Sequence, residues 1–403
     1  MGVGISYMGT KRELAPSVSD VISRAQTGPL LDAFAGMCSV AEEVATRRQV
    51  WTNDVQTFAA EVGRALFTSH DEPPLPIRTA DLHFPGFDKH RQRLEEEFRT
   101  AVDAEDELLE SSTYERFSEL KKRLSRRLSR LIGRSKRGSR NLFTLTYSDS
   151  YFGIRQAIEA DAVIESINCA SWQGVTTSDH RRWLMIALGR AFLKIANSTG
   201  HFAQYLKPNE HSYKRFLSQR RRRLWTEWLF STGELMAVGT ADWRRRNKAF
   251  NEDSLTLITA LGSSTERPAV IYSDPPYTDD QYSRFYHILE TLLLYDYPVP
   301  SGAGLYRTNR FTTPFSLKSK ALDAFQRLVQ ACARTGADLV LSYPTNGLLC
   351  ETGTSVLNLL RRWYSRVECC YALTHDHSTF GASKGTVRAQ VTEFIYLARP
   401  CQQ

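Results

Sequence analysis

A chain of 403 residues is long enough for one large α/β domain with an insertion, or for two domains. Its hydrophobic fraction of 42% is that of an ordinary globular protein, and no apolar run reaches the length that spans a bilayer. The net charge of +8 favours polyanionic partners, while seven scattered cysteines without a C-x-x-C pair exclude a disulfide framework and a zinc site and point to a reducing cytoplasm.

Met1 to Ser6 has neither the charged start nor the apolar stretch of a secretory signal. Pro29 to Phe34 then predicts a buried strand ending in a turn at Ala35-Gly36. Val40 to Arg47 reads as a helix, Gln49 to Thr52 as a second strand, and the stretch after Asn53-Asp54 as a helix running through Leu66. Strand, helix, strand, helix is the start of a parallel sheet.

Residues 67–239 read as mainly helical. Phe117, Leu120, Leu124, Leu128 and Leu131 recur at helical spacing with Lys and Arg between them. The acidic stretch Arg91 to Glu110 is the other arm of an expected helical hairpin, broken near Ser111-Ser112-Thr113. Basic residues crowd three places: 121–140, 220–223 and 244–246. Such a face is either a solvated helix surface or a phosphate-contacting one. Lys121, Lys122, Arg123, Arg126, Arg127, Arg221, Arg222 and Arg284 are the candidates for contact with nucleic acid.

The α/β pattern returns in the last third, with strands expected at 269–273, 338–342, 367–373 and 391–397. The last two have hairpin character, so one terminal antiparallel strand is expected. The division that follows is 1–66 with 240–403 as one α/β domain, and 67–239 as an insertion.

Asp274-Pro275-Pro276-Tyr277 directly follows the 269–273 strand. Pro275 pushes Asp274 toward extended geometry, and two prolines remove two backbone donors, leaving carbonyls as acceptors. An amino group needs an acceptor for each hydrogen to be held and made more nucleophilic. The Asp274 carboxylate and the Pro275 carbonyl are such a pair, and Tyr277 adds an aromatic face for a base. The combination suits an exocyclic amine on an extruded base. The polar and aromatic stretch Thr278 to His287 reads equally as a phosphate grip or as a helix start with Tyr282, Phe285 and Tyr286 in the core. Ser342 to Asn346 is expected near the acceptor pocket. His375-Asp376-His377 lacks further clustered ligands, so no metal is expected.

With these segments in place, the chain resembles the D12 class of DNA adenine-N6 methyltransferases. Ser6 to Arg12 resembles the family's aromatic-x-Gly-x-Lys segment, Leu31 to Val40 its first-strand cofactor loop, and Asn53-Asp54 its acid after the second strand. Asp253 stands where the family often has an acid after the third strand. The resemblance implies a Rossmann-like S-adenosylmethionine-dependent fold with a mostly parallel seven-stranded sheet, one antiparallel strand and a helical target-recognition insertion. It implies S-adenosylmethionine as cofactor, held by Tyr7, Lys11, Asp32, Phe34, Gly36, Asp54, Asp253 and Asp274. It implies catalysis by Asp274, Pro275, Pro276 and Tyr277 on a flipped adenine of double-stranded DNA, with a cognate restriction or defence system as a candidate partner and restriction–modification, phage defence and regulation as the open roles. Phe380, in the loop between the last two strands, stands where the family packs residues against the flipped base. The chain departs from the pattern at Cys38, where the family often has a second glycine. Cytosine-N4 methylation, RNA methylation and a catalytically silent DNA-binding role are the rival readings.

Overall fold

The computed structural model describes residues 3–5, 7, 9–75, 86–376 and 390–400, with the side chains of His375 and Asp376 excepted. Seven strands form the main sheet: β1 (Leu30–Asp32), β2 (Val50–Asn53), β3 (Lys248–Phe250), β4 (Val270–Ser273), β5 (Asp338–Pro344), β6 (Arg366–Asp376) and β7 (Gln390–Arg399). Their spatial order is β3-β2-β1-β4-β5-β7-β6. All pairings from β3 to β5 are parallel, and β7 alone runs antiparallel to both of its neighbours. This is the mostly parallel, seven-stranded α/β sheet expected. Six strands were legible as apolar runs; β3 is only three residues long and half-buried, too short for its pattern to stand out.

The alternation of the central strands builds two cores. Leu30, Val270, Tyr272 and Val340 face the helices Ala15–Ser23 and Ser39–Val44. Leu31, Ile271, Leu339 and Leu341 face the helices Ser254–Gly262 and Lys318–Thr335. Both faces being covered, β1, β4 and β5 are apolar without the polar alternation of a half-exposed strand.

From Phe87 to Arg244 the described elements are all helical. Arg99–Leu109 and Tyr114–Ile132 pack as the expected hairpin, with Phe117, Leu120, Leu124 and Leu128 buried and Thr113 accepting from the Arg116 N–H as the N-cap. The acidic arm is two helices rather than one, Phe87–Glu97 and Arg99–Leu109, because Phe98 leaves helical geometry (φ −106°, ψ 15°) to bury its ring. The middle region also reaches into the α/β part. Trp183, Ile186 and Phe192 of the helix Ser178–Ile195 share a core with Phe58, Val62 and Leu66 of the helix Thr57–Thr68. Gly189 permits the closest approach: a Cβ there would lie 2.6 Å from the Phe58 ring.

Two buried carboxylates hold this layer. Asp161 accepts from the Phe143 and Thr144 N–H groups, the Thr144 hydroxyl and the Tyr295 hydroxyl, at 2.6–3.0 Å. Glu105 accepts from the Ile154 and Arg155 N–H groups at 3.0 and 3.1 Å, capping the helix Ile154–Trp172. No helix among the described residues is long and apolar enough to cross a membrane.

Candidate functional site

In an open parallel sheet the strand order reverses at one point, and the loops leaving the strands there diverge to open a crevice. Here the reversal lies between β1 and β4. The pocket at their C-terminal ends is lined by Tyr7, Gly9, Thr10, Lys11, Asp32, Phe34, Gly36, Asp54, Asp253, Asp274 and Pro276, among others. The candidates come from five separate stretches of chain and meet around one cavity.

The loop after β1 is held from both sides. The Ala33 N–H donates to the Tyr272 carbonyl at 3.0 Å and the Ala35 N–H to the Asn53 carbonyl at 2.9 Å. Gly36 takes φ +49°, and a Cβ there would press on the Tyr7 ring at 3.0 Å, so this position needs glycine twice over. Cys38 adopts φ +65°, the left-handed conformation that a glycine enters at no cost. Cys38 thus holds a backbone conformation that favours glycine, at the position where the family often has a second glycine.

Asp54 follows β2 and organises this loop. Its Oδ2 accepts from the Gly36 N–H at 2.9 Å and its Oδ1 from the Gln56 N–H at 2.8 Å. Burial outweighs these bonds and pushes its carboxyl up to about 6. Gln56 donates through Nε2 to the Tyr7 hydroxyl at 2.5 Å, while its Oε1 is buried without a partner. Tyr7 stacks on Tyr286 with centroids 4.3 Å apart. Asp253 caps the helix Ser254–Gly262, accepting from the Thr256 N–H at 3.0 Å through Oδ1.

Asp32 ends β1, is 2% exposed, and its Oδ1 has no hydrogen-bond partner. Burial and the neighbouring charges of Asp274 and Asp54 push its carboxyl up to about 8. Asp274 follows β4 and is half-buried, its side chain 13% exposed at the pocket. Lys11 Nζ lies 3.1 Å from its Oδ2, and the Ser342 hydroxyl donates to its Oδ1 over a long 3.4 Å. Burial pushes the Asp274 carboxyl up to about 7, with the Lys11 ammonium pulling it back and Glu393 adding to the rise. Among the described residues no donor reaches the Pro275 carbonyl. The Tyr277 ring has Lys11 Nζ 5.0 Å from its centroid and meets Tyr343 edge-on.

The segment after the motif is mostly core. Tyr282, Phe285 and Tyr286 pack with Tyr7 and Ile288, so the helix-start reading of Thr278 to His287 is the one that the structure realises. Several lining residues gave no signal in the sequence. Phe311, Thr313 and Phe315 form a strap over the pocket, tied down by the Gln281 side chain, which pairs with the backbone of Thr313 at 2.8 and 3.2 Å. Phe315 meets Phe34 edge-on at 5.7 Å. Nothing local marks these residues, because their role comes from a chain reversal some 30 residues after the motif.

The basic candidates sit on the helical layer, apart from Arg284, and most have partners. Lys121 pairs with Asp149 at 2.5 Å, Arg123 with Glu107 at 2.8 Å, Arg222 with Glu227 at 2.7 Å and Arg284 with Asp280 at 2.6 Å. Arg127 donates to the Thr100 carbonyl at 3.1 Å, and Arg221 to the Leu109 carbonyl. Arg126 reaches only the Lys122 carbonyl, and both residues are exposed without an ion pair among the described residues. Two members of the basic runs are interior braces. Arg220 donates to the Ser150 carbonyl, and Arg244, 1% exposed, to the Ser69 and Gly239 carbonyls and to Glu72. Ser6, Phe380 and the His375-Asp376-His377 side chains lie outside the described residues. Among the described residues no cluster of His, Cys, Asp and Glu has the make-up of a metal site.

Comparison with known proteins places the chain among DNA methyltransferases. The family model described as "D12 class N6 adenine-specific DNA methyltransferase" matches residues 7–149 and 244–337, more than half of the chain. Modification methylase StsI of Streptococcus sanguinis is 24% identical over 362 residues, which are 89% of this chain and 46% of that protein. Type II methyltransferase M.FokI of Planomicrobium okeanokoites is 28% identical over 202 residues, 50% of this chain and 28% of that protein. Type II methyltransferase M.CviAII of Paramecium bursaria Chlorella virus 1 is 25% identical over 259 residues, 63% of this chain and 68% of that protein. The chain thus spans less than half the length of the first two relatives. The matched intervals contain Lys11, Asp32, Asp54 and Asp274, the residues that meet around the pocket, and the chain belongs to the D12 class of N6 adenine-specific DNA methyltransferases.

Proposed function

We propose that this protein transfers a methyl group from S-adenosylmethionine to N6 of an adenine extruded from double-stranded DNA. The observation that carries the reading is the half-buried Asp274 carboxylate, beside a Pro275 carbonyl that no donor reaches among the described residues, at a pocket where Asp32 Oδ1 and Gln56 Oε1 are buried without hydrogen-bond partners. The pocket fits the cofactor chemically. S-adenosylmethionine bears an ammonium and a sulfonium, and the carboxyls of Asp32, Asp54 and Asp274 line the pocket, where a bound cation favours their ionised forms. Gln56 Oε1 is a further open acceptor, Phe34 and Phe315 offer apolar faces, and Gly36 lets the backbone come close. Asp54 stands at the pocket wall as an acceptor for ribose hydroxyls, and Asp253 keeps its second oxygen for an adenine amine. When bound, the cofactor supplies an electrophilic methyl group.

The chain's own part is to hold the acceptor. Asp274 and the Pro275 carbonyl each accept one hydrogen of the amine, which draws its lone pair out of ring conjugation and favours the tetrahedral nitrogen of the transition state. The methylated amine then sheds a proton, which needs no strong base. Tyr277 walls the site beside Lys11. The division of labour proposed is catalysis by 1–66 and 240–403 and target recognition by 67–239, with the exposed Lys122 and Arg126 among the phosphate contacts. The relatives' names are those of modification methylases, and the same role beside a cognate restriction activity in the cytoplasm is proposed here.

The test uses unmethylated DNA, the full chain and S-adenosylmethionine, with the product digested to nucleosides. N6-methyldeoxyadenosine is expected; N4-methyldeoxycytidine, or incorporation only into RNA, overturns the assignment. Asp274→Ala is expected to lower the rate about a thousandfold while calorimetry still detects cofactor binding.

A further inference from the structure

Beyond residue 337, where the family match ends, one buried acid breaks the pattern of its strand. On β7 the inward positions are Val391, Glu393, Ile395 and Leu397, all nearly without exposure. An apolar residue at 393 would continue that run without the desolvation cost of a carboxylate. Glu393 is 2% exposed, and its Oε1 has no hydrogen-bond partner. The cation beside it is Lys11, whose Nζ lies 3.1 Å away, a contact of charge without hydrogen-bond geometry. The same Nζ is 3.1 Å from Asp274 Oδ2. Glu393 stands opposite Pro344 in the β5–β7 ladder, two residues from the Ser342 that touches Asp274. One ammonium therefore lies 3.1 Å from an oxygen of each of two carboxylates.

We infer that Glu393 is a positioning residue for methyl transfer, fixing through Lys11 the ammonium that engages Asp274 Oδ2 and so leaving Oδ1 to the acceptor amine. The argument is mechanical. A lysine stem has four rotatable carbons, and a single acid partner leaves the ammonium free to pivot. A second anchor removes that freedom, and with it the freedom of Asp274. A misplacement of about 1 Å at a reacting group costs on the order of a hundredfold in rate. The inference rests on the amine-holding role proposed for Asp274.

Electrostatics gives a signature that packing alone lacks. Glu393 raises the Asp274 carboxyl and Lys11 lowers it; Asp32, Tyr272, Tyr277 and Tyr282 also face this cluster and stay constant across the variants. Single-turnover methyl transfer by the full chain is measured across pH for wild type, Glu393→Gln and Lys11→Met. Glu393→Gln is expected to lower the maximal rate about tenfold, to move the acid limb to lower pH, and to leave S-adenosylmethionine affinity within about twofold. Lys11→Met is expected to move the limb upward. Melting of the two single variants and the double variant gives a readout free of turnover: the double variant is expected to lose less than the sum of the singles. An unchanged rate and limb in Glu393→Gln, or additive melting losses, overturns the inference. If Glu393→Gln does not fold, Glu393→Asp carries the test, since it keeps the charge but retracts it from Lys11; a wild-type rate there overturns the inference as well. A wild-type enzyme that methylates no adenine sinks the function proposed above instead.

Discussion

Asp161 and Asp32 are the same residue, almost equally buried, and put to opposite uses. In the helical layer Asp161 accepts four hydrogen bonds from its own chain and has no capacity left for a ligand. At the switch point of the sheet Asp32 keeps Oδ1 buried and unpartnered. Burial penalises both carboxylates, pushing Asp161 up to about 6 and Asp32 up to about 8. The difference lies in who offsets that penalty. A buried acid satisfied by its own fold is a brace. One left open at a pocket wall stores unfavourable free energy that a cationic ligand relieves.

Removing the brace puts the contrast between the two acids to its hardest test. Asp161→Ala strands the Phe143 and Thr144 N–H groups and the Tyr295 hydroxyl, and is expected to cost about 3 kcal/mol of stability, read by denaturant unfolding. An unchanged midpoint would mean that those donors find other partners. The mirror experiment removes the open acid. Asp32→Asn is expected to weaken S-adenosylmethionine binding about tenfold or more while stabilising the ligand-free protein at alkaline pH.

The sign follows from the raised carboxyl. A group whose folded value lies above its ordinary 3.8 stabilises the fold while it keeps its proton, and that contribution is lost as pH rises through about 8. Wild type and Asp32→Asn should therefore melt alike near pH 4, with the variant pulling ahead between there and pH 8. Melting curves that stay parallel would place the Asp32 penalty elsewhere. The smallest effect belongs to the surface. Replacing both Lys122 and Arg126 by Ala is expected to weaken DNA binding modestly and to reduce the salt slope of the affinity by about two. An unaltered slope removes that helix face from the phosphate contacts.

The basic runs show where reading along the chain reaches its end. A tetra-arginine at 220–223 looks like a single polyanion patch, yet Arg220 turns inward to the Ser150 carbonyl while Arg222 pairs with Glu227. Which face of a helix is inside depends on neighbours that come from far away in the chain. The same holds for the strap Phe311–Phe315 and for Glu393, whose partner Lys11 is separated from it by nearly the whole chain. By contrast, Asp274-Pro275-Pro276-Tyr277 and the loop from Asp32 to Gly36 were legible because their chemistry is local: prolines that remove donors, a glycine that admits a positive φ, an acid at the end of an apolar run.

The alternation of apolar runs that makes a parallel sheet, the helical spacing of the middle region and the identity of the acceptor motif are all written in the order of residues. These depend on backbone periodicity and on residue types within a few positions of one another. Which acids are satisfied and which remain open, which arginines brace the interior, and the placing of Lys11 beside both Asp274 and Glu393 emerge from the folded chain alone. Those are matters of desolvation and pairing, and both depend on what the rest of the chain brings within about 3 Å of a buried oxygen.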